Sequence, residues 1–176
     1  MEDGRRLSFE RVALFSDAVF AIAITLLVIE IRLPAGHGAG RPLGEALVAL
    51  WPHYLGYALS FAVIGRFWIG HHRLFDLLRA HDDRLLALNL LFLFGIAFMP
   101  FPTAVIGEYG AQRAAVLFYG GWLLVVGLLN LLLIGYALRS SGLLRSPITA
   151  ADRRRLRARW APVAIGAAAV LVAQFV

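Results

Sequence analysis

Residues 11–31 read RVALFSDAVFAIAITLLVIEI: an apolar run interrupted near its start by Ser16 and Asp17. A helix crosses a bilayer with roughly 20 mostly apolar residues at about 1.5 Å each, and this stretch meets that length. Working outward, four more runs qualify or nearly so, giving five in all: about 8–31, 44–71, 84–106, 112–139 and 160–176, the last with its helix expected from about 150. Each is unalternating and rich in Leu, Ala, Val and Ile, whereas the strands of a membrane barrel are about ten residues long and alternate in polarity. The expected fold is an all-α integral membrane protein. Residues 1–176 form a single transmembrane domain of five spanning helices.

Composition agrees. Of 176 residues, 60% are hydrophobic and 16% charged, a balance rare in soluble domains of this length. The chain has no cysteine, which removes disulfides, zinc-thiolate sites and thiol catalysis. It has no lysine either, so the net charge of +6 comes from arginine. No small-residue cleavage site follows Leu33 and acidic residues (Glu2, Asp3, Glu10) precede the first run, so it is expected to be retained rather than removed as a signal peptide.

The arginines set an orientation. With the amino terminus in the cytoplasm, the inner side holds Arg5, Arg6, Arg11, Arg73, Arg79, Arg84, Arg139, Arg145 and the cluster Arg153–Arg159, while the outer side holds Arg32, Arg41 and Arg113. The positive-inside rule favours this arrangement. The cluster DRRRLRAR, residues 152–159, reads as a juxtamembrane stretch that meets anionic lipid headgroups. Nucleic acid is not an expected partner, because no binding-module motif accompanies the charge.

Asp17 is the costly residue. An acid inside a spanning segment costs a few kcal/mol on insertion scales and calls for a partner. Only about 12 residues separate it from Glu30, roughly 18 Å of helix, so Asp17 lies near or within the inner membrane boundary. Arg11 on the same helix and Arg66, Trp68, His71 and His72 near the end of the second run are the candidate partners. His71 and His72 diverge by about 100° on a helix, which argues against both facing one metal ion. Asn89 and Asn130 are expected to bond across helices, and MPFPT, residues 99–103, to break or kink the end of the third run.

At about 100° per residue, Ala18, Ile22, Thr25 and Ile29 share a stripe roughly 60° wide, and Asp17 points about 140° from Ile22. Periodicity leaves that stripe open as a lining, a packing surface or a lipid-facing one. Thr25 by itself is more often a hydroxyl bonded to its own helix. A Gly-rich phosphate loop, a nucleophile-elbow serine and HExxH are all missing, so no enzyme is expected.

The combination of Arg11, Phe15-Ser16-Asp17, FWIGHHRLFDLL (67–78), DRLLALNLLFLF (83–94) and PFPTAVIGEYG (100–110) resembles the bacterial branch of the transmembrane protein 175 family, the lysosomal potassium channels. The resemblance covers most of residues 8–139. It implies a potassium-selective leak-type channel with no cofactor, potassium as the permeant ion, and a homotetramer in a bacterial inner membrane whose first helices line a central pore. On that reading Ile22 forms the hydrophobic constriction, Thr25 a hydroxyl ring and Ile29 a further apolar ring, with Ala18 also lining. Arg11, Phe15, Ser16, Asp17, Trp68 and His71 match the structural polar network that holds the pore helix. An ideal helix puts Arg11 near the Ile22 stripe, so joining Asp17 requires its side chain to swing round or the helix start to be irregular. The family has six helices per subunit and this chain reaches a fifth. The pattern Thr-Val-Gly-Tyr-Gly does not occur, so selectivity is not expected from stacked carbonyl rings. The alternatives are a proton-coupled secondary transporter using Asp17 and His71, and a non-conducting structural membrane protein.

Overall fold

The computed structural model describes residues 2–33, 42–146, 149 and 161–172. The basic stretch Arg153–Arg159 and the glycine-rich loop after Leu33 lie outside these residues. The described chain is helical: α1 (Glu2–Ile29), α2 (Leu43–Ala49), α3 (Trp51–Asp76), α4 (Asp83–Phe98), α5 (Pro100–Tyr109), α6 (Arg113–Arg139), a 3-10 turn (Ser141–Leu143) and α7 (Ala161–Val172). Three helical stretches are long and apolar enough to cross a membrane, namely Phe9–Ile29, Asp83–Tyr109 and Arg113–Arg139. A fourth is available if α2 and α3 together count as one span.

The second run departs from the continuous helix expected over 44–71. It breaks at Leu50 into α2 and α3, which meet at 45°, and α3 continues to Asp76. Pro52 is the cause: it sits in the first turn of α3, has no N–H to give the preceding turn, and its ring crowds the carbonyl four residues back. The third run breaks at Met99, where Pro100 and Pro102 open α5. There Thr103 restores part of the ladder, its N–H and hydroxyl lying 3.2 and 2.9 Å from the Met99 carbonyl. Asp83–Tyr109 therefore still serves as one apolar stretch. Of the fifth expected helix, about 150–176, the described part is the 12 residues of α7.

The helices pack with α1 against α3 and α4, α4 against α6, and α6 against α7. The core is Phe20, Leu27, Ile64, Phe67, Leu74, Phe92, Ile96, Met99, Leu123 and Leu133 with their neighbours. Gly166 lets α7 approach the α6 backbone closely, since a Cβ there would meet the Leu124 nitrogen at 2.8 Å and the Gly120 carbonyl oxygen at 3.0 Å. Small residues at such crossings are how apolar helices pack when lipid is as apolar as their side chains.

One end of the bundle gathers the start of α1, the end of α3, the start of α4 and the end of α6. The loops there are laced together: Arg79 N–H donates to Leu143 at 2.8 Å, Arg145 N–H to Leu77 at 2.9 Å, and Arg145 Nε to Leu78 at 2.7 Å. Asp82 caps α4 by accepting from the Leu85 N–H at 2.8 Å, and it also accepts from the Tyr136 hydroxyl at 2.6 Å. The Tyr136 hydrogen bond, then the Leu85 N–H, hold the Asp82 carboxyl below its ordinary range. Each favours the ionised form.

Candidate functional site

α1 has two faces. Phe9, Ser16, Phe20, Ala23 and Leu27 are buried against the bundle. At about 100° per residue, the stripe of Ala18, Ile22, Thr25 and Ile29 falls on the side opposite that ridge, and all four are exposed, Ile22 at 58% and Ile29 at 55%. Leu14 and Phe15 extend the same exposed face toward the helix start. The Thr25 hydroxyl donates to the Ile22 carbonyl at 2.9 Å. Its proton is thus spent on its own helix, and oxygen lone pairs remain for a donor or a cation.

The consecutive residues Phe15, Ser16 and Asp17 take three directions because each step turns about 100°. Phe15 is exposed and, with Arg11, Val12, Leu86, Asn89 and Leu90, lines a cleft between α1 and α4 of about 350 Å³. Ser16 is fully buried and donates to the Val12 carbonyl at 2.8 Å. The Asn89 amide, from α4, donates to the Ser16 oxygen at 3.0 Å and receives His71 Nε2, from α3, on its carbonyl oxygen at 2.8 Å. Because that amide oxygen only accepts, His71 carries its proton on Nε2 here. The His71 ring stacks on Phe75 at 4.2 Å and lies 5.5 Å from Phe20 and 6.0 Å from Phe92. Asp17 faces α3 instead and accepts from Trp68 Nε1 at 2.8 Å.

The candidate residues therefore divide into two linkages. Asp17 takes Trp68, and Ser16 reaches His71 through Asn89. Arg11 joins neither: α1 is continuous through it, so its start is not irregular, and Arg11 stays exposed at the cleft beside Phe15. His72 diverges from His71, as adjacent helical residues must, and lies exposed 3.7 Å from Asp76. Among the described residues no three His, Cys, Asp or Glu side chains are grouped to hold a metal.

Sequence reasoning placed Asn89 among interhelical polar residues without seeing it as the hub between Ser16 and His71. The signal was available, since an amide in an apolar helix needs partners, but its identity depended on the α1–α3–α4 crossing. A second buried cluster was missed. Tyr119 and Ser60 hydroxyls lie 3.0 Å apart and Thr103 2.8 Å from Ser60, joining α3, α5 and α6.

A helical membrane bundle with one long helix bolted on its inner face and bare along an uncharged outer stripe belongs to the class of polytopic membrane proteins that associate through that helix. The family model described as "Endosomal/lysosomal potassium channel TMEM175" matches residues 11–100, and the chain belongs to this family. It is 39% identical over 160 residues to a potassium channel of Streptomyces collinus, covering 89% of this chain and 77% of that one. It is also 38% identical over 101 residues to the endosomal/lysosomal proton channel TMEM175 of Bos taurus, covering 53% of this chain and 21% of the relative. Among solved structures it is similar to that of a lysosomal potassium-selective channel TMEM175 homologue from Chamaesiphon minutus, with a TM-score of 0.81 and 31% identity over 96% of this chain and 88% of that one.

Proposed function

We propose that this chain is one subunit of a potassium-selective, leak-type channel in a bacterial inner membrane, with its amino terminus in the cytoplasm. Four copies place α1 around a central pore; Ile22 forms the constriction, and Ala18, Thr25 and Ile29 line the rest. The observation that carries this reading is the exposed stripe itself. It stands opposite a face of α1 that is fixed by buried aromatic side chains and by the Ser16–Asn89–His71 bonds, so the stripe is presented without being used by the chain's own fold.

A ring of isoleucines can gate by dewetting, and a ring of threonine hydroxyls, each donating to its own helix, offers oxygen to a partly dehydrated cation. No catalytic step and no cofactor enter this reading; potassium is the cargo. A fifth span completes the subunit from α7 and the residues before it, and the arginines from Arg153 to Arg159 meet anionic headgroups. Purified protein in liposomes should carry potassium down its gradient and sodium much more slowly. Equal sodium flux would remove the selectivity, and no flux from intact tetramers would remove the channel.

A further inference from the structure

At the end of the bundle away from the laced loops, His53 in the first turn of α3 meets two carboxylates from two other parts of the chain. Its Nε2 lies 3.5 Å from Glu108 of α5. Its Nδ1 is buried and has no hydrogen-bond partner. That side of the ring borders a small cavity, about 10 Å³, lined by Leu27, Glu30 and Ile31 at the end of α1, by Tyr57 of α3, and by Thr103, Ala104 and Gly107 of α5. Gly107 makes the ring's seat, because a Cβ there would stand 3.2 Å from the His53 ring. The side chain is 22% exposed, so protons reach it.

We propose that His53 is the proton-binding residue of a pH switch that ties the outer end of the pore helix to α3 and α5. A neutral imidazole has one donor and one acceptor nitrogen; a protonated one has two donors and a positive charge. Gaining the proton gives Nε2 a charge-assisted bond to Glu108 and turns buried Nδ1 into a donor toward Glu30, directly or through the single water such a cavity admits. Imidazole is the side chain whose ordinary charge change falls between about pH 5 and 8. The other charged groups at this end are Glu45 in the exposed first turn of α2, Arg32 just beyond α1, which donates to the Ile29 carbonyl at 3.5 Å, and Arg113 at the start of α6, which has its own partner.

The direction follows from helix geometry. Glu30 falls on the bundle side of α1, about 100° from Ile29, so an attraction to protonated His53 draws the last turn of α1 toward its own subunit. The Thr25 and Ile29 stripe then retreats from the pore axis. Acid on this side of the membrane opens the channel, a consequence that rests on the channel reading above.

The test uses the full chain in a planar bilayer, with the pH of each chamber varied separately, and ring-labelled histidine NMR on the same protein. Acidifying the His53 side from about pH 8 to 5.5 should raise potassium current several-fold, while the opposite side has a smaller effect. His53→Gln, which cannot titrate, should abolish the rise and leave current at pH 8 unchanged; Glu30→Gln and Glu108→Gln should each reduce it. An undiminished acid response in His53→Gln overturns the switch, as does a His53 ring that does not titrate between about pH 5 and 8. A His53 signal that titrates and is altered by Glu30→Gln, in protein that carries no potassium at any pH, leaves the proton site standing and removes the channel reading instead.

Discussion

The side-chain amide of Asn89 lies between Ser16 and His71, donating to one at 3.0 Å and accepting from the other at 2.8 Å, so that one residue of α4 fastens α1 to α3. All three side chains are at most 2% exposed. Asn89→Leu removes both bonds and strands the His71 N–H in an aromatic box. Interhelical hydrogen bonds in membranes average under 1 kcal/mol, but a stranded buried donor adds its own penalty, so the expected loss is about 1–3 kcal/mol. Thermal unfolding in detergent measures it. Asp17→Asn, which keeps an acceptor for Trp68, should cost less than Asn89→Leu, and a cost as large would place the main bolt at Asp17 instead.

Ile22 is the reverse case, a residue exposed within its subunit and free of hydrogen-bonding duty. Ile22→Ala enlarges the proposed constriction and Ile22→Asn wets it. Both should raise single-channel conductance or relax potassium over sodium selectivity, with little change in subunit stability because the side chain is 58% exposed. Unchanged currents would move the gate off this residue.

Gly166 separates close helix packing from generic helix stability. Gly166→Ala pushes a Cβ to within 3 Å of the Leu124 backbone nitrogen, whereas Gly121→Ala on α6 meets nothing within 4 Å. Over-packing of this kind costs about 1–3 kcal/mol. Gly166→Ala should lower the melting temperature, and Gly121→Ala should leave it unchanged or raise it slightly through better helix propensity.

Asp82 gives the laced end an acid limit. Its carboxyl is held low by the Tyr136 hydroxyl and the Leu85 N–H, so its contribution to stability is complete above the ordinary carboxyl value of about 3.9 and is lost as pH falls through the lower, folded-state value. Between about pH 5 and 8 the laced end should therefore not respond to pH. Below about pH 4 the wild type should lose stability faster than Asp82→Asn, which carries no titrating group there; parallel acid profiles would show the cap and the Tyr136 bond to be unimportant.

Much of this was legible in the chain. Run length and the absence of alternation imposed membrane helices, because backbone groups in lipid must bond within their own segment. The angular spacing of Ala18, Ile22, Thr25 and Ile29 separated a stripe from Asp17 before any packing was known, and that spacing is a property of one helix. The bend at Leu50 was equally local, since Pro52 causes it, yet a reading by hydrophobicity alone ran through it.

The pairing of polar side chains was not local. Asp17 had Arg11, Arg66, Trp68, His71 and His72 as possible partners, all reachable by sequence depth, and the α1–α3 crossing selected Trp68. The same crossing, with α4 laid across it, withdrew His71 from Asp17 and gave it to Asn89. The meeting of His53, Glu30 and Glu108 likewise has no signature in the sequence, for they lie on three segments that only the folded bundle brings to one end. The sequence by itself determined which residues enter the membrane and which face of α1 each occupies, because rise and turn are fixed by the backbone. Which partners those faces meet was decided by tertiary structure, because a hydrogen bond reaches about 3 Å and only helix crossing brings distant side chains within it.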